Sequence, residues 1–256
     1  MDITSAARLL EALVPILHDT GAAVMEIYAS DFTVRGKVDG SPLTDADERA
    51  EAIVTPALEA LLPGVPVIAE EAVATGTVPI TSDRFWLVDP LDGTREFIGR
   101  NGEFTVNVAL VEDGEPVLGA VLAPALGQLF LGAAGVGAFI EQDGRRKPIR
   151  CRTIPPGGLT VVASRSHSDP TALDAFLAGR KVAALVAMGS SLKLCLIAAG
   201  EADLYPRLGR SMEWDIAAGH AVLAAAGGHV RTLAGAPLRY GKPGLENPHF
   251  VASGLD

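Results

Sequence analysis

The sequence predicts a globular protein in which an α+β half is followed by an α/β half. The chain has 256 residues, of which 48% are hydrophobic and 20% charged, and this balance excludes a disordered or fibrous chain. Short apolar segments separated by turn residues fill residues 105–147 and are typical of an antiparallel meander. Beyond residue 158, strand-like and helical segments alternate, which is the pattern of an α/β fold. The Pro155-Pro156-Gly157-Gly158 segment is typical of a linker, so we expect two domains, residues 1–154 and 155–256.

Hydrophobic periodicity and turn residues predict the elements in chain order. Helices are expected at residues 5–30 and from Asp45 to Leu62, followed by strands at Val65–Ala69, Phe85–Val88, Phe104–Val111, Val117–Leu122 and Leu129–Ala133. The Asp-Gly pairs at 113–114 and 143–144 predict hairpin turns. In the second half we expect strands at Leu159–Ser164, Val182–Val186 and Ala202–Leu204, each followed by a helix, at residues 169–179, 189–199 and 215–226.

Charge and cysteine usage limit the partners of the chain. It carries 21 basic and 31 acidic residues, a net charge of −10, and its longest basic run is Arg145-Arg146-Lys147, so we expect no nucleic-acid partner. Pro116 to Ile140 is uncharged, but prolines and glycines interrupt it, and no integral membrane segment is expected. Cys151 and Cys195 lack metal-site spacing, which favours a reducing compartment. With no signal peptide in evidence, we expect a cytoplasmic protein whose oligomeric state the sequence leaves open.

The most specific chemical signal in the sequence is an apolar strand that is followed by a turn with two carboxylates. Asp89 and Asp92 follow Phe85–Val88, and the Leu91 carbonyl lies between them. Oxygen ligands of this kind suit a hard cation such as Mg²⁺. An ordinary surface turn is the alternative, since Asp-Pro and Asp-Gly are common turn dipeptides.

Two further acidic elements favour the metal site. Glu70-Glu71 ends the Val65–Ala69 strand, and Glu213-Trp214-Asp215 opens the last predicted helix. Either element alone has an ordinary explanation, as a solvated strand end or a helix cap. Like charges about 4 Å apart cost on the order of 4 kcal/mol per pair at an effective dielectric near 20, so carboxylates that converge need a cation.

Thr44 and Asp47 admit two interpretations. The Thr44-Asp45-Ala46-Asp47 segment fits a capping box, with the Asp47 carboxylate bound to the backbone of Thr44. Alternatively, Asp47 accepts a hydrogen bond from Thr94 and orients its hydroxyl toward a reacting water. The sequence does not separate the two.

Taken in order, three motifs resemble the signatures of the Mg²⁺-dependent, lithium-sensitive inositol monophosphatase superfamily. They are Glu70-Glu71, the segment from Asp89 to Thr94, and the segment from Trp214 to Gly219. The residues from Arg95 to Asn107, Gly189-Ser190-Ser191-Leu192-Lys193 and Leu204-Tyr205-Pro206-Arg207 are similar to the 3'(2'),5'-bisphosphate nucleotidase branch, the CysQ family.

This resemblance implies a layered αβαβα sandwich with the site between its α+β and α/β halves. It implies two or three Mg²⁺ ions, inhibition by Li⁺, and five metal ligands: Glu70, Asp89, the Leu91 carbonyl, Asp92 and Asp215. Thr94, paired with Asp47, would help a water attack phosphorus, with Glu70 as proton acceptor. Backbone N–H groups from Gly93 to Glu96, if they begin a helix, would hold the phosphate.

Substrate selection is expected from the second half of the chain. Inositol-specific relatives carry an acidic residue before the Trp-Asp motif, whereas this chain has Arg207, and a guanidinium suits a second phosphate. Lys193, with Ser164 and His167, is a candidate for further anion and ribose contacts, although a solvated lysine and a loop histidine are equally good explanations. Together with Ser190, Gly93, Thr94 and the metal ligands Glu70, Leu91, Asp92 and Asp215, these residues form the expected substrate site.

The resemblance therefore implies a phosphatase that converts adenosine 3',5'-bisphosphate to AMP, and acts on its 5'-phosphosulfate analogue, within sulfate assimilation. Its partner is then a small phosphorylated nucleotide, and contact with the inner membrane stays open. One alternative is an inositol-monophosphatase-like enzyme of broader specificity. Another, of a different class, is a non-catalytic regulatory binding protein.

Overall fold

Two large β-sheets with helices packed on their faces make up the fold. The structure is a computed structural model that describes residues 1–36, 40, 42–76, 82–165 and 169–255. The helices are α1 (Ile3–Tyr28), α2 (Asp45–Leu61), α3 (Glu70–Ala74), α4 (Thr94–Ile98), α5 (Pro170–Leu177), α6 (Leu192–Ala198) and α7 (Glu213–Ala225). The strands are β1 (Val34–Gly36), β2 (Pro42–Thr44), β3 (Val67–Ala69), β4 (Arg84–Asp92), β5 (Thr105–Glu112), β6 (Glu115–Ala123), β7 (Gln128–Ala133), β8 (Gly137–Gln142), β9 (Arg145–Ile149), β10 (Leu159–Ser164), β11 (Val182–Met188), β12 (Leu204–Arg207), β13 (His229–Thr232) and β14 (Phe250–Ser253).

The first large sheet has seven strands in the order β3-β4-β5-β6-β7-β8-β9. β3 and β4 are parallel, and every later neighbour is antiparallel, as expected for a meander. The predicted turns at Asp113-Gly114 and Asp143-Gly144 are confirmed. All four residues have positive φ, the conformation that two-residue hairpin turns require.

The second large sheet has five strands in the order β11-β10-β12-β14-β13. β10 pairs in parallel with β11 and β12, so the three predicted strands of the α/β half lie side by side. β14 pairs antiparallel with both β12 and β13. The strand ends of β10, β11 and β12 therefore meet at one edge of the sheet, which is where open α/β sheets bind ligands.

Alternate side chains of the seven-stranded sheet enter two separate cores. Trp86 and Val88 of β4 pack with α1 and α2 on one face, while Phe85 and Leu87 pack with α6 and α7 on the other. The same helices α6 and α7 contact the five-stranded sheet, through residues such as Phe250. α5 packs on the outer face of that sheet. The order of layers is thus αβαβα, and the predicted fold class is confirmed.

Two glycines let α7 approach the seven-stranded sheet closely. A Cβ at Gly119 of β6 would lie 2.3 Å from the carbonyl oxygen of Ala218, and one at Gly132 of β7 would lie 2.6 Å from Cα of Val222. Both distances are shorter than van der Waals contact, so neither position has room for a side chain. The glycines fix the distance between α7 and the sheet, and α7 carries Asp215 in its first turn.

Several short strands were not predicted from the sequence. β1, β2, β13 and β14 have three or four residues each, too few to show a periodicity of two. The strand expected from Val65 begins only at Val67, and the last helix begins at Glu213 instead of Asp215. The proposed boundary at 154/155 falls between the two large sheets, but the division stays a prediction because α7 packs on both. Among the described residues, no helix is long and apolar enough to cross a membrane.

Substituting Gly119→Ala should lower the free energy of unfolding by about 1–3 kcal/mol, because the added methyl group overpacks the contact with α7. Urea denaturation of both proteins measures the difference. Gly157→Ala is the matched control, since no atom lies within 4 Å of a Cβ there. Equal effects of the two substitutions would contradict the packing argument.

Candidate active site

A cleft of about 590 Å³ lies where the strand ends of the two sheets face each other. Eleven of the predicted site residues line it: Glu70, Asp89, Leu91, Asp92, Gly93, Thr94, Ser164, Ser190, Lys193, Arg207 and Asp215. His167 lies outside the described residues, and Asp47 reaches the cleft through Thr94.

A β-bulge brings Asp89 and Asp92 to the same side of β4. Asp89 pairs with Asn107 of β5, whereas Asp92 pairs with Thr105, so three steps along β4 match two along β5. In a regular strand, residues three apart point to opposite faces, and one extra residue cancels that alternation. The bulge contains Pro90, which has no N–H to donate to the ladder. The Asp89 carboxylate accepts the Leu91 N–H at 3.0 Å, which fixes the bulge further.

Parallel pairing and helix packing bring two more carboxylates to this point. Ala69 of β3 pairs with Val88 of β4, so Glu70 follows its strand directly beside Asp89. Asp215 comes from α7, whose position the two glycines of β6 and β7 set. One oxygen each of Glu70, Asp89 and Asp215 lie within 4.8 Å of one another.

The electrostatics of this cluster favour a bound cation. Burial, together with the charges of Asp92 and Glu70, raises the pKa of Asp215 to about 8. Burial also raises the pKa of Asp92, against the opposing charge of Lys193. Carboxylate oxygens at this spacing form the oxygen-only donor set that a hard divalent cation takes. Glu70, Asp89, Asp92 and Asp215 therefore fit a metal centre.

Two residues that the sequence analysis did not single out hold the cluster in place. The Asn107 amide donates to Asp92 at 3.4 Å and to the Ser191 hydroxyl at 3.0 Å. Ser191 in turn donates to the Asp215 carbonyl at 2.6 Å. An asparagine inside the apolar strand β5 is the signal that identifies this network, since strands disfavour asparagine without a specific partner.

Asp47 makes both of the contacts that the sequence left as alternatives, one to Thr44 and one to Thr94. Its Oδ2 accepts hydrogen bonds from the backbone N–H and the hydroxyl of Thr44, both at 2.7 Å, which completes the capping box of α2. Its Oδ1 lies 3.3 Å from the Thr94 hydroxyl, which is also 3.3 Å from the Leu91 carbonyl. The carboxylate is buried, with 1% of its residue surface exposed.

The turn after β4 starts a short helix, as the sequence predicts. Gly93 precedes α4 with φ near +90°, in the left-handed region that favours glycine. A Cβ there would lie 3.1 Å from the Glu103 carbonyl oxygen. Because α4 begins at Thr94, its first backbone N–H groups come immediately after Asp92 and Gly93 in the chain.

Cationic side chains from the five-stranded half form the opposite wall. Lys193 is buried, and its ammonium donates to the Met188 carbonyl at 3.3 Å and to the Ser190 carbonyl. Burial lowers its pKa to about 8, against the attraction of Asp92. Lys193 is thus no solvated surface lysine, contrary to one interpretation of the sequence.

Arg207 has unused hydrogen-bonding capacity in the cleft. One guanidinium nitrogen donates to the Arg210 carbonyl, but its buried Nε has no hydrogen-bond partner among the described residues. A buried donor without a partner costs about 1–3 kcal/mol. Arg210, which the sequence analysis did not select, also lines the cleft and lies 3.3 Å from Glu246.

Comparison with known proteins places these features in a family. Residues 6–253 match the model of the inositol monophosphatase family. The chain is 44% identical over 248 residues to the 3'(2'),5'-bisphosphate nucleotidase CysQ of Escherichia coli strain K12, a match that covers 96% of this chain and 99% of the relative. It is 38% identical to the protein of the same name from Buchnera aphidicola, with 97% and 94% covered.

Solved structures show the same fold. CysQ from Bacteroides thetaiotaomicron superimposes with a TM-score of 0.80 at 36% identity, covering 96% of this chain and 97% of that one. An IMPase from Thermotoga maritima also gives a TM-score of 0.80, at 27% identity, with 96% and 92% covered.

Mg²⁺ should raise the melting temperature more at about pH 9 than at about pH 6, because a proton on Asp215 competes with the cation below its pKa of about 8. This pKa lies above the ordinary value of 3.8, so the folded chain binds that proton more tightly than the unfolded chain. Without cation, the contribution of Asp215 to stability therefore falls as the pH rises from about 4 to about 8. Thermal unfolding with EDTA or excess Mg²⁺ measures both effects.

Asp215→Asn should remove most of the pH dependence of the Mg²⁺ effect, whereas Asp143→Asn, in the β8–β9 turn, should leave it unchanged. An equal Mg²⁺ shift at both pH values in the unsubstituted protein would contradict the assignment of Asp215 as a ligand.

Proposed function

The chain belongs to the inositol monophosphatase family, whose members are metal-dependent, and on that premise we propose that it is a Mg²⁺-dependent 3'(2'),5'-bisphosphate nucleotidase. Its substrate is adenosine 3',5'-bisphosphate, which it converts to AMP and phosphate within sulfur assimilation in the cytoplasm. The 5'-phosphosulfate analogue is a second substrate. Li⁺ inhibits the reaction by occupying a Mg²⁺ position.

The observation that best supports this proposal is that one cleft contains both a carboxylate cluster and the cationic side chains of Lys193 and Arg207. The cluster of Glu70, Asp89 and Asp215 suits a metal that binds the phosphate to be hydrolysed. Arg207 lines the same cleft, and its guanidinium is available for a second anionic group on the same substrate. A substrate with two phosphates matches both sides, whereas inositol monophosphate offers only one.

The ligands of the Mg²⁺ ions would be Glu70, Asp89, Asp92, Asp215 and the Leu91 carbonyl. When bound there, Mg²⁺ supplies Lewis-acid activation of a water and neutralises phosphate charge. Asp47 accepts a hydrogen bond from the Thr94 hydroxyl, which leaves the lone pairs of that hydroxyl free to orient the attacking water. Glu70 accepts the proton that this water loses. Backbone N–H groups at Gly93 and Thr94 hold the phosphate oxygens.

The cationic wall holds the rest of the nucleotide. Arg207 binds the 5'-phosphate, and Lys193 and Ser190 add positive potential and a hydroxyl at the turn before α6. Ser164, with His167, contacts the ribose. These local cations allow a chain of net charge −10 to attract a polyanion into its cleft.

Asp92→Asn should reduce kcat/KM by roughly 10³-fold while the protein stays folded, because the neutral amide is a poor ligand for a hard cation. Phosphate release from adenosine 3',5'-bisphosphate measures the rate, and circular dichroism checks the fold. Asp143→Asn removes the same charge far from the cleft and should have no effect. A variant at position 92 that keeps most of its activity, or an unsubstituted protein that binds the nucleotide without hydrolysis, would support the regulatory binding protein instead.

Arg207→Met should raise KM for adenosine 3',5'-bisphosphate by about 10–100-fold, the loss of one charge-assisted contact, and should change turnover of inositol 1-phosphate little. Steady-state assays of both substrates with Mg²⁺ measure this. Arg145→Met, on the exposed strand β9, is the control. Faster hydrolysis of inositol 1-phosphate by the unsubstituted protein would exclude the nucleotidase and favour the broader phosphatase.

A further inference from the structure

The Glu103 carboxylate connects the two large sheets beside the cleft. It accepts hydrogen bonds from Nε of Arg165 at 2.9 Å, from a second nitrogen of Arg165 at 2.6 Å, and from the Gly189 N–H at 2.7 Å. Glu103 lies in the loop before β5 of the seven-stranded sheet. Arg165 and Gly189 directly follow β10 and β11 of the five-stranded sheet. We call these three contacts the Glu103 bridge.

The geometry of the bridge is tightly constrained. A Cβ at Gly189 would lie 2.6 Å from the Glu103 carbonyl oxygen and 2.8 Å from Cγ of Glu96, so only glycine permits this approach. Arg165 also donates to the Ala187 carbonyl at 3.0 Å, which fixes its guanidinium. Burial of Glu103 opposes ionisation, but the hydrogen bonds from Arg165 and Gly189 outweigh it and lower its pKa. The carboxylate is therefore charged, and both its oxygens are engaged.

The bridge lies between the two functional sides of the cleft. Two residues after Glu103, Thr105 pairs with Asp92. On the side of the five-stranded sheet, Arg165 follows Ser164, and Gly189 precedes Ser190. Ser164 and Ser190 both line the cleft. Among the proposed carboxylate ligands, Glu70 follows β3, and Asp89 and Asp92 lie on β4. Asp215 lies on α7, which packs against the same seven-stranded sheet. The distance between ligands and cationic wall therefore depends on contacts between the two sheets.

We propose that Glu103 and Arg165 are positioning residues that set the distance between the metal centre and the wall that binds the second phosphate. This inference rests on the proposed function. A substrate that contacts both sides of the cleft depends on the bridge. A small phosphate monoester contacts the metal centre alone and does not.

Glu103→Gln and Arg165→Met should each raise KM for adenosine 3',5'-bisphosphate by about 10-fold, and leave kcat/KM for p-nitrophenyl phosphate within about twofold. Arg165→Lys should recover part of the loss. Arg146→Met is the matched control, since Arg146 binds the carboxylates of Glu11 and Glu141 away from the cleft and its loss should change neither substrate. Equal losses for both substrates would show a merely structural role and overturn the proposal.

Hydrogen exchange tests the bridge independently of any substrate. Glu103→Gln should increase exchange in residues 188–192, because the Gly189 N–H loses its charged acceptor, and should leave residues 85–92 unchanged. Unchanged exchange in residues 188–192 would overturn the proposal. If the unsubstituted protein fails to prefer the bisphosphate, the proposed function is wrong, while the exchange result still decides whether the bridge orders this turn.

Discussion

Mutual repulsion among four carboxylates that are partly or fully buried is the constraint on which the rest of this molecule depends. Oxygens of Glu70, Asp89 and Asp215 lie within 4.8 Å of one another, and Asp92 adds its charge to theirs. At an effective dielectric near 20, each close pair costs on the order of 4 kcal/mol, a large part of the stability of a typical domain. A cation bound there, as proposed, would convert the same oxygens into ligands. Burial, together with the charges of Asp92 and Glu70, raises the pKa of Asp215 to about 8 in the chain alone.

Three separate structural features bring the carboxylates together. The bulge in β4 turns Asp92 to the side of Asp89, parallel pairing with β3 delivers Glu70, and the glycines of β6 and β7 admit α7 with Asp215. Each feature belongs to the seven-stranded sheet or packs on it. The carboxylate cluster is therefore built on the seven-stranded sheet and α7, whereas Lys193 and Arg207 come from α6 and β12.

The sequence predicted the elements and the ligand types, but not the way in which they meet. Short apolar segments and the Asp-Gly turns identified strands of the meander, because those strands are long enough to stand out between turn residues. The bulge could not be predicted, since a segment with Pro90 and Leu91 is equally typical of an ordinary turn. The hydrogen-bond network through Asn107 and Ser191 could not be predicted either. Nor could residue types reveal that Lys193 is buried or that Arg207 keeps an unpartnered nitrogen. Burial and hydrogen-bond partners arise from long-range packing, which one sequence does not encode locally.

The two oxygens of the Asp47 carboxylate serve different parts of the structure. One oxygen accepts hydrogen bonds that secure the first turn of α2, and the other faces the Thr94 hydroxyl in the cleft. Replacement of this side chain would disturb helix capping and hydroxyl orientation together, so a loss of activity in such a variant could not by itself separate a chemical contribution of Asp47 from a structural one.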